Sequence, residues 1–479
     1  MRNSLAKSAL FNAIYQGLNV VFPLISATYV AKILSPNGVG EVAYAQNIVS
    51  YFVIIAALGM PTYGTREIAK KWGHQSQLNT LFSELFVINA ISTGICMAVY
   101  AGIVAFMPAG GRLLYIICGL ELLFNFINVD WFYRGKEDFV YIAVRSVTVK
   151  TISLCLLFLF VKDQGDCAVY ALLVCLANGC NYLFNILRLH KDVQFTTRNL
   201  NLKQHMKALL TLLICSVAAS LYSKIDITML GVFCTKSSVG LYSTAFKTVN
   251  IALAVVASVT SVFLPRISYC YQNDRTQFTM YVSKGVQMVM LIAVPAMIGI
   301  AMVSRDLMTL LFGNEYTVAY SIVAILAPLL LIKGFGDILC YQVLVSAGKE
   351  KHFLFSYVMA AAANIILNAL LIPRFDYNGA AVASVASELL VNLMLLRYSM
   401  KVVKPEVGRR SVISVSAATA AMMVSVLAVQ NVLSSLVGRL FCSVAVGVMC
   451  YLVVNILLKN DMVYLVINKM CSKLKAKHQ

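Results

Sequence analysis

Charge is scarce in this chain, and acid is scarcer than base: only 12% of the 479 residues are charged, 20 of them Asp or Glu against 39 Lys or Arg. With 60% of the residues hydrophobic, a surface clothed in water is excluded, and so is a disordered polyelectrolyte. Histidine is nearly absent. The five present (His74, His190, His205, His352, His478) are all expected in cytoplasmic loops or the tail, which leaves none to relay protons through a membrane. The 13 cysteines include no CxxC and no neighbouring histidine pair, which excludes zinc and haem-attachment motifs. Only Cys167 and Cys234 are expected on the outer side, and lone buried thiols are the preferred reading. The longest connection, 188–207, carries no paired carboxylates and no nucleotide-binding motif, which argues against a membrane-embedded polymerase or polyprenyl-sugar transferase.

What is abundant is continuous apolar sequence. Such runs argue for transmembrane helices, whereas a membrane barrel would show short segments of alternating polarity. The runs predict an all-α integral membrane protein of 14 helices, at residues 9–33, 42–60, 79–107, 112–132, 139–161, 167–187, 208–233, 240–263, 281–303, 318–346, 353–373, 378–397, 411–429 and 440–458. The termini and every second loop together hold 27 basic residues, and the remaining loops hold 7. That bias predicts both termini in the cytoplasm. It also accounts for most of the net charge of +19, and basic residues spread over many loops weaken a nucleic-acid reading. Asn12, Gln16 and Asn19 interrupt the first run, so it is expected to be an uncleaved helix rather than a signal peptide.

The chain repeats itself. VGEVAYA from Val39 matches VGLYSTA from Val239, Pro61 matches Pro265, and Gly135-Lys136-Glu137 matches Gly348-Lys349-Glu350. An even number of helices per repeat makes the halves parallel, a construction that many transporters use. The expected domains are a six-helix bundle at 1–200, a second at 201–404, and a C-terminal hairpin with a cytoplasmic amphipathic tail (Met462 to Lys475) at 405–479.

Polar residues inside the runs are the functional candidates. Arg145, Lys150, Lys224, Lys247 and Lys333 face Glu84, Glu121, Asp226, Asp337 and Glu388 in number, with Asp130 at a helix end. Turned toward lipid they would cost about 3 kcal/mol each, so most must face one another or a water-filled cavity. Gln16 and Asn19 share a face of the first helix, and Gln16 corresponds to Ser216 in the repeat. Lys333, Asp337 and Tyr341 follow at four-residue steps, with a Lys333–Asp337 ion pair as one arrangement. Asn125, Asn128, Asn364 and Asn368 read as hydrogen-bonding joints between helices. Pro23, Pro295 and Pro328 mark candidate bends.

KILSPNGVGEVAYAQN (32–47), YGTREIAKK (63–71), DWFYRGKEDF (130–139), DITMLG (226–231), VGLYSTAFK (239–247), LPRIS (264–268), LFGNEYTVA (311–319) and NGAAVASVASE (378–388) together resemble the O-antigen repeat-unit (Wzx-type) polysaccharide flippases. These belong to the superfamily that includes multidrug and toxin extruders and lipid II flippases. The likeness runs from residue 1 to about 404, and the last two helices are less diagnostic. It implies two six-helix bundles forming a V around a central cavity that opens alternately to each side. The implied cargo is an oligosaccharide linked through pyrophosphate to undecaprenol, carried across the bacterial cytoplasmic membrane for O-antigen or capsule synthesis. An ion gradient or membrane potential would drive it, without a cofactor, and glycosyltransferases and a polymerase would be pathway partners. On this reading Lys150, Lys224, Lys247 and Lys333, with Gln16 and Asn19, contact headgroup or glycan, and Arg145 attracts it from the cytoplasmic side. Asp226, Asp337, Glu388 and Glu121 couple or gate. Only Asp226, Lys247 and Glu388 lie in the quoted motifs. A multidrug or cation antiporter of the same superfamily is the alternative, and it would favour an acid-dominated pocket.

Overall fold

The computed structural model describes residues 2–197, 200–261 and 263–464, with side chains described at residue 17 and from residue 21 onward apart from Leu264 and Pro265. The expected contacts of Gln16 and Asn19 and all but the first residues of the amphipathic tail therefore lie outside the described residues.

Among the described residues every regular element is helical. In chain order these are α1 (Arg2–Ala57), α2 (Met60–Lys71), α3 (Gln75–Ala105), α4 (Ala109–Phe124), α5 (Asp130–Gly135), α6 (Phe139–Phe160), α7 (Cys167–Leu189) and α8 (Lys203–Phe233). They continue with α9 (Lys236–Ser261), α10 (Leu264–Asn273), α11 (Arg275–Phe312), α12 (Tyr320–Leu326), α13 (Leu329–Asp337), α14 (Glu350–Ser399), α15 (Arg409–Val432) and α16 (Leu436–Leu457). Among the described residues eleven helical stretches are long and apolar enough to cross a membrane, or twelve if the bent pair 314–326 and 329–345 is one span. The chain is a multi-pass membrane protein.

Two of these stretches are too long for one crossing. α14 has 50 residues and α1 has 56, whereas about 20 residues span the hydrocarbon. Each contains one residue that leaves helical geometry, Ser35 (φ 59) in α1 and Asp376 (φ 51) in α14. Both breaks fall in the gaps that the hydropathy leaves between consecutive runs. The expected tenth helix departs furthest from a single rod: Pro328 follows α12, the path bends by 41°, and α13 runs on into a π-helix, Ile338–Val345. Pro23 and Pro295, by contrast, lie inside uninterrupted helix.

The expected fourth helix, 112–132, is also divided. It ends at Phe124 in a short 3₁₀ turn, and Asp130 opens the separate α5. Two further short helices, α2 and α10, carry apolar residues on one face and have proline at their first turn, Pro61 and Pro265. They occupy corresponding places in the repeat.

By contact the chain divides into Met1–Gly240 and Leu241–Gln479. In the first unit α1 packs on α3, α4, α6 and α8. A second first-unit core gathers Met60, Tyr63 and Ile68 of α2 around Trp131, Phe132 and Tyr133 of α5. In the second unit α11 is central, touching α12, α13, α15 and α16, while α15 and α16 pair as a hairpin.

The two glycine turns of the repeat meet inside the first unit. A Cβ on Gly40 would overlap the Lys236 carbonyl oxygen and stand 2.8 Å from the Gly240 nitrogen, and a Cβ on Gly240 would overlap the Pro36 carbonyl. Only glycine permits backbones this close. Beside them the Lys236 ammonium sits 3.4 Å from the centre of the Tyr44 ring. Neither Cys167 nor Cys234 is joined in a disulfide.

Candidate functional site

In the first unit, polar groups of α1 and α8 meet, with groups of α4 and α7 close by. Asn47 donates to the Thr228 hydroxyl at 2.7 Å, and the Tyr51 and Thr228 hydroxyls are 2.9 Å apart. Asp226, buried at 6% exposure, lies within electrostatic range of Tyr51. Nearby on α8, Lys224 lies within electrostatic range of the Glu121 carboxylate of α4, which accepts from Asn178 at 3.1 Å. The structure therefore gathers Lys224, Glu121 and Asp226 into one region, with Lys150 half-buried on α6. Asn47 and Tyr51, one helical turn apart in α1, are uncharged and absent from the sequence candidates, although their spacing marks a common face.

Arg145 does not join that group. It is buried and hydrogen-bonded to Asn185, and its guanidinium is 2.8 Å from Asp130. A charge already matched by a carboxylate and an amide is poorly suited to attract substrate, so the expected attractor is a tie between α5, α6 and α7. Arg188 to Asp138 at 2.8 Å and Lys136 to Asp192 extend the same network. Burial alone would raise the Asp130 carboxyl, but the Arg145 charge and the hydrogen bonds from Asn185 and Arg145 outweigh it and hold it below the ordinary carboxylate range. The associated stability is present above the unfolded-state value near 3.9 and is lost as pH falls through the lower folded value. Thermal unfolding in detergent should therefore be insensitive to Asp130 around pH 7 and weaken below about pH 4. Asp130→Asn should remove this component of the acid sensitivity and, by stranding Arg145, cost about 3 kcal/mol at pH 7.

His205 also departs from expectation. Instead of lying in a loop it occupies the first turn of α8 at 4% exposure, with Nε2 2.9 Å from Glu84 and Nδ1 2.7 Å from the Tyr63 hydroxyl. Glu84 also accepts from the Asn201 backbone at 2.7 Å and from Gln204 at 3.1 Å, so the segment joining α7 to α8 is tied to α3. Hydropathy starts this helix too late, at residue 208, and so places the imidazole in the preceding loop.

In the second unit, Lys333 of α13 is 3.7 Å from Glu388 of α14, while Asp337 lies one turn on, within electrostatic range of both. The bridge is thus between helices, not along one as the four-residue spacing suggests. Glycines make it attainable: a Cβ on Gly336 would stand 2.9 Å from the Asn392 side chain, and one on Gly334 2.9 Å from Val289. Lys333 is about a third exposed and Glu388 is buried, so a partly exposed cation is held against a desolvated carboxylate. Tyr357 lies within range of Glu388, Asp337 and Tyr341. Lys247 is on α9 and exposed.

Of the asparagines expected as joints, Asn125 and Asn364 bond across helical segments, while Asn128 bonds to Asn125 within its own turn. Asn89 donates to the Asn125 carbonyl and Asn125 to the Thr93 hydroxyl in the first unit. In the second, Asn364 donates to the Ser387 hydroxyl beyond the break at Asp376, and Asn368 donates to the Asn364 side-chain oxygen.

Many apolar spans with charged side chains held inside them define a polytopic membrane protein. The match to a family model over residues 5–270 makes the chain a member of the polysaccharide biosynthesis protein family. A protein of Escherichia coli K12 named as an O-antigen transporter is 22% identical over 403 residues, covering 82% of this chain and 96% of its own length. A low-salt glycan biosynthesis flippase of Haloferax volcanii is 32% identical over 182 residues, covering 36% of this chain and 37% of its own. Among solved structures, the lipid II flippase MurJ in an inward closed conformation superposes with a TM-score of 0.79 at 14% identity, over 95% of this chain and 100% of that one. An inward-facing multidrug transporter of the MATE family gives 0.64 at 14% identity, over 82% and 97%. The chain has a MurJ- and MATE-like helical fold and is a transporter, not an enzyme.

Proposed function

We propose that this protein flips undecaprenyl-pyrophosphate-linked oligosaccharide repeat units across the bacterial cytoplasmic membrane by alternating access, for O-antigen or capsule synthesis. The observation that carries the reading is that each compact unit of a polysaccharide biosynthesis family member holds a lysine and a carboxylate within electrostatic range of one another inside its spans, Lys224 and Glu121 in the first and the ion-paired Lys333 and Glu388 in the second. Glycan and pyrophosphate cannot cross hydrocarbon unaided, and charged side chains inside a membrane are retained where a polar path needs them. The relatives named for O-antigen transport and glycan flipping support the cargo class.

Counting the breaks at Ser35 and Asp376 and the bent pair as crossings, we take the chain to span the membrane 14 times, with both termini cytoplasmic as the basic-residue bias requires. The halves 1–200 and 201–404 then act as the two bundles, and 405–479 as an added hairpin and tail. Lys150, Lys224, Lys247 and Lys333 contact pyrophosphate or glycan; Glu121, Asp226, Asp337 and Glu388 couple transport to an ion gradient or membrane potential. Glycosyltransferases that build the repeat unit and a polymerase that consumes it are the pathway partners.

The test is a deletion strain. Mass spectrometry of its polyprenyl-pyrophosphate glycans, with the leaflet assigned by an impermeant lectin, should find complete repeat units trapped on the cytoplasmic side. Unchanged lipid-linked pools together with altered drug sensitivity would establish a multidrug antiporter instead.

A further inference from the structure

Resting on the transport reading above, we infer that Tyr341, Phe353 and Tyr357 form an aromatic ledge that stacks against a pyranose ring of the cargo, while Lys333, Asp337, Glu388 and Asn392 beside it bind that ring's hydroxyls. All seven residues belong to the second unit.

The ledge begins on the π-helix. Tyr341 is 48% exposed there although Cys340, Gln342, Val343 and Leu344 around it are buried. π-Helical turns widen the backbone and re-aim side chains, and they recur at functional sites. Phe353 connects the two tyrosines, its ring centre 6.1 Å from that of Tyr341 and 4.7 Å from that of Tyr357.

The ledge is continuous with charge. Tyr341 lies within electrostatic range of Asp337, and Tyr357 within range of both Asp337 and Glu388. Ion-paired groups do not face hydrocarbon, so an exposed ring among them faces the polar side of the helix and not lipid. Asn392 adds an acceptor: its buried Oδ1, facing Gly336, has no hydrogen-bond partner among the described residues.

The balance of charge selects the part of the cargo that fits. One lysine stands against two carboxylates, an excess of acid that repels pyrophosphate. Sugar hydroxyls are both donors and acceptors and suit carboxylates, an amide oxygen and an ammonium together, while the C–H face of a pyranose suits an aromatic ring. The cluster therefore takes neutral or basic sugar, and the pyrophosphate contact falls to the other lysines.

Two experiments test this. In the deletion strain, Tyr341→Phe should restore surface glycan fully and Tyr341→Leu should lower export by about tenfold at equal membrane level, the scale of one lost contact worth about 1.4 kcal/mol. Full export by Tyr341→Leu, or loss of export by Tyr341→Phe, would overturn the ledge. Tyr341→Trp reads binding directly in the purified full chain in lipid nanodiscs, against the two native tryptophans, Trp72 and Trp131. Free oligosaccharide released from the strain's own lipid-linked pool should shift its emission saturably, and inorganic pyrophosphate should not displace it. No shift, or displacement by pyrophosphate, would refute sugar stacking. An unchanged lipid-linked pool in the deletion strain would instead remove the transport reading on which the ledge rests.

Discussion

Replacing Gly240 with valine is expected to deprive the membrane of most folded protein, and replacing Gly40 with valine to do the same. Each added side chain would be driven into backbone, the Pro36 carbonyl at Gly240 and the Lys236 carbonyl at Gly40, with no flexible side-chain end to yield. Overpacking of this kind costs about 3 kcal/mol or more when backbone must move. The segments involved follow the break at Ser35 and open α9, so the strain would separate the ends of helices that otherwise touch. Gly102→Ala is the control, because nothing lies within 4 Å of a Cβ there. It should be neutral or slightly stabilising, alanine being the better helix former by about 1 kcal/mol. Thermal midpoint and the monodisperse fraction in detergent measure both. If Gly240→Val melts with the wild type, the close approach of the two repeat turns contributes little to stability.

That contact explains why the doubled turn is legible in the sequence: a glycine without a substitute leaves a mark there. The apolar runs are legible for a similar reason, since lipid demands them, and the gaps between runs locate Ser35 and Asp376. Pairing is not legible. Lys333 and Asp337 suggest a bond along one helix, but the Lys333 bridge to Glu388 depends on how closely Gly334 and Gly336 allow α13 to approach its neighbours. Arg145 reads as a deep cation because its partners are remote in sequence, Asn185 in particular. The Glu84–His205–Tyr63 cluster draws on three separate segments, and an average over hydropathy hides the polar first turn of α8. α2 and α10 are too short and too polar on one face to register as spans, although their opening prolines and 3.6-residue spacing announce them.

Whether Lys333 and Glu388 hold the second unit together or drive transport is decided by a double-variant cycle. Glu388→Leu alone leaves the lysine facing an emptied, desolvated site. Because the lysine is about a third exposed, the full cost of breaking a buried pair is screened, and a loss of about 2 kcal/mol is expected. Lys333→Met alone leaves Glu388 buried beside Asp337, two carboxylates with no cation between them, and should cost at least as much. The double variant Lys333→Met/Glu388→Leu removes both charges and fills the space with apolar atoms. Replacing an inward ion pair this way is often neutral or stabilising, so its thermal midpoint should return to within about 1 kcal/mol of the wild type. A structural pair predicts that export returns with stability. A working pair predicts a folded, normally inserted protein that exports nothing, with repeat units accumulating on the cytoplasmic side. The latter is expected, because an ion pair kept within reach of solvent inside a membrane span is costly relative to apolar packing unless one of its charges is used.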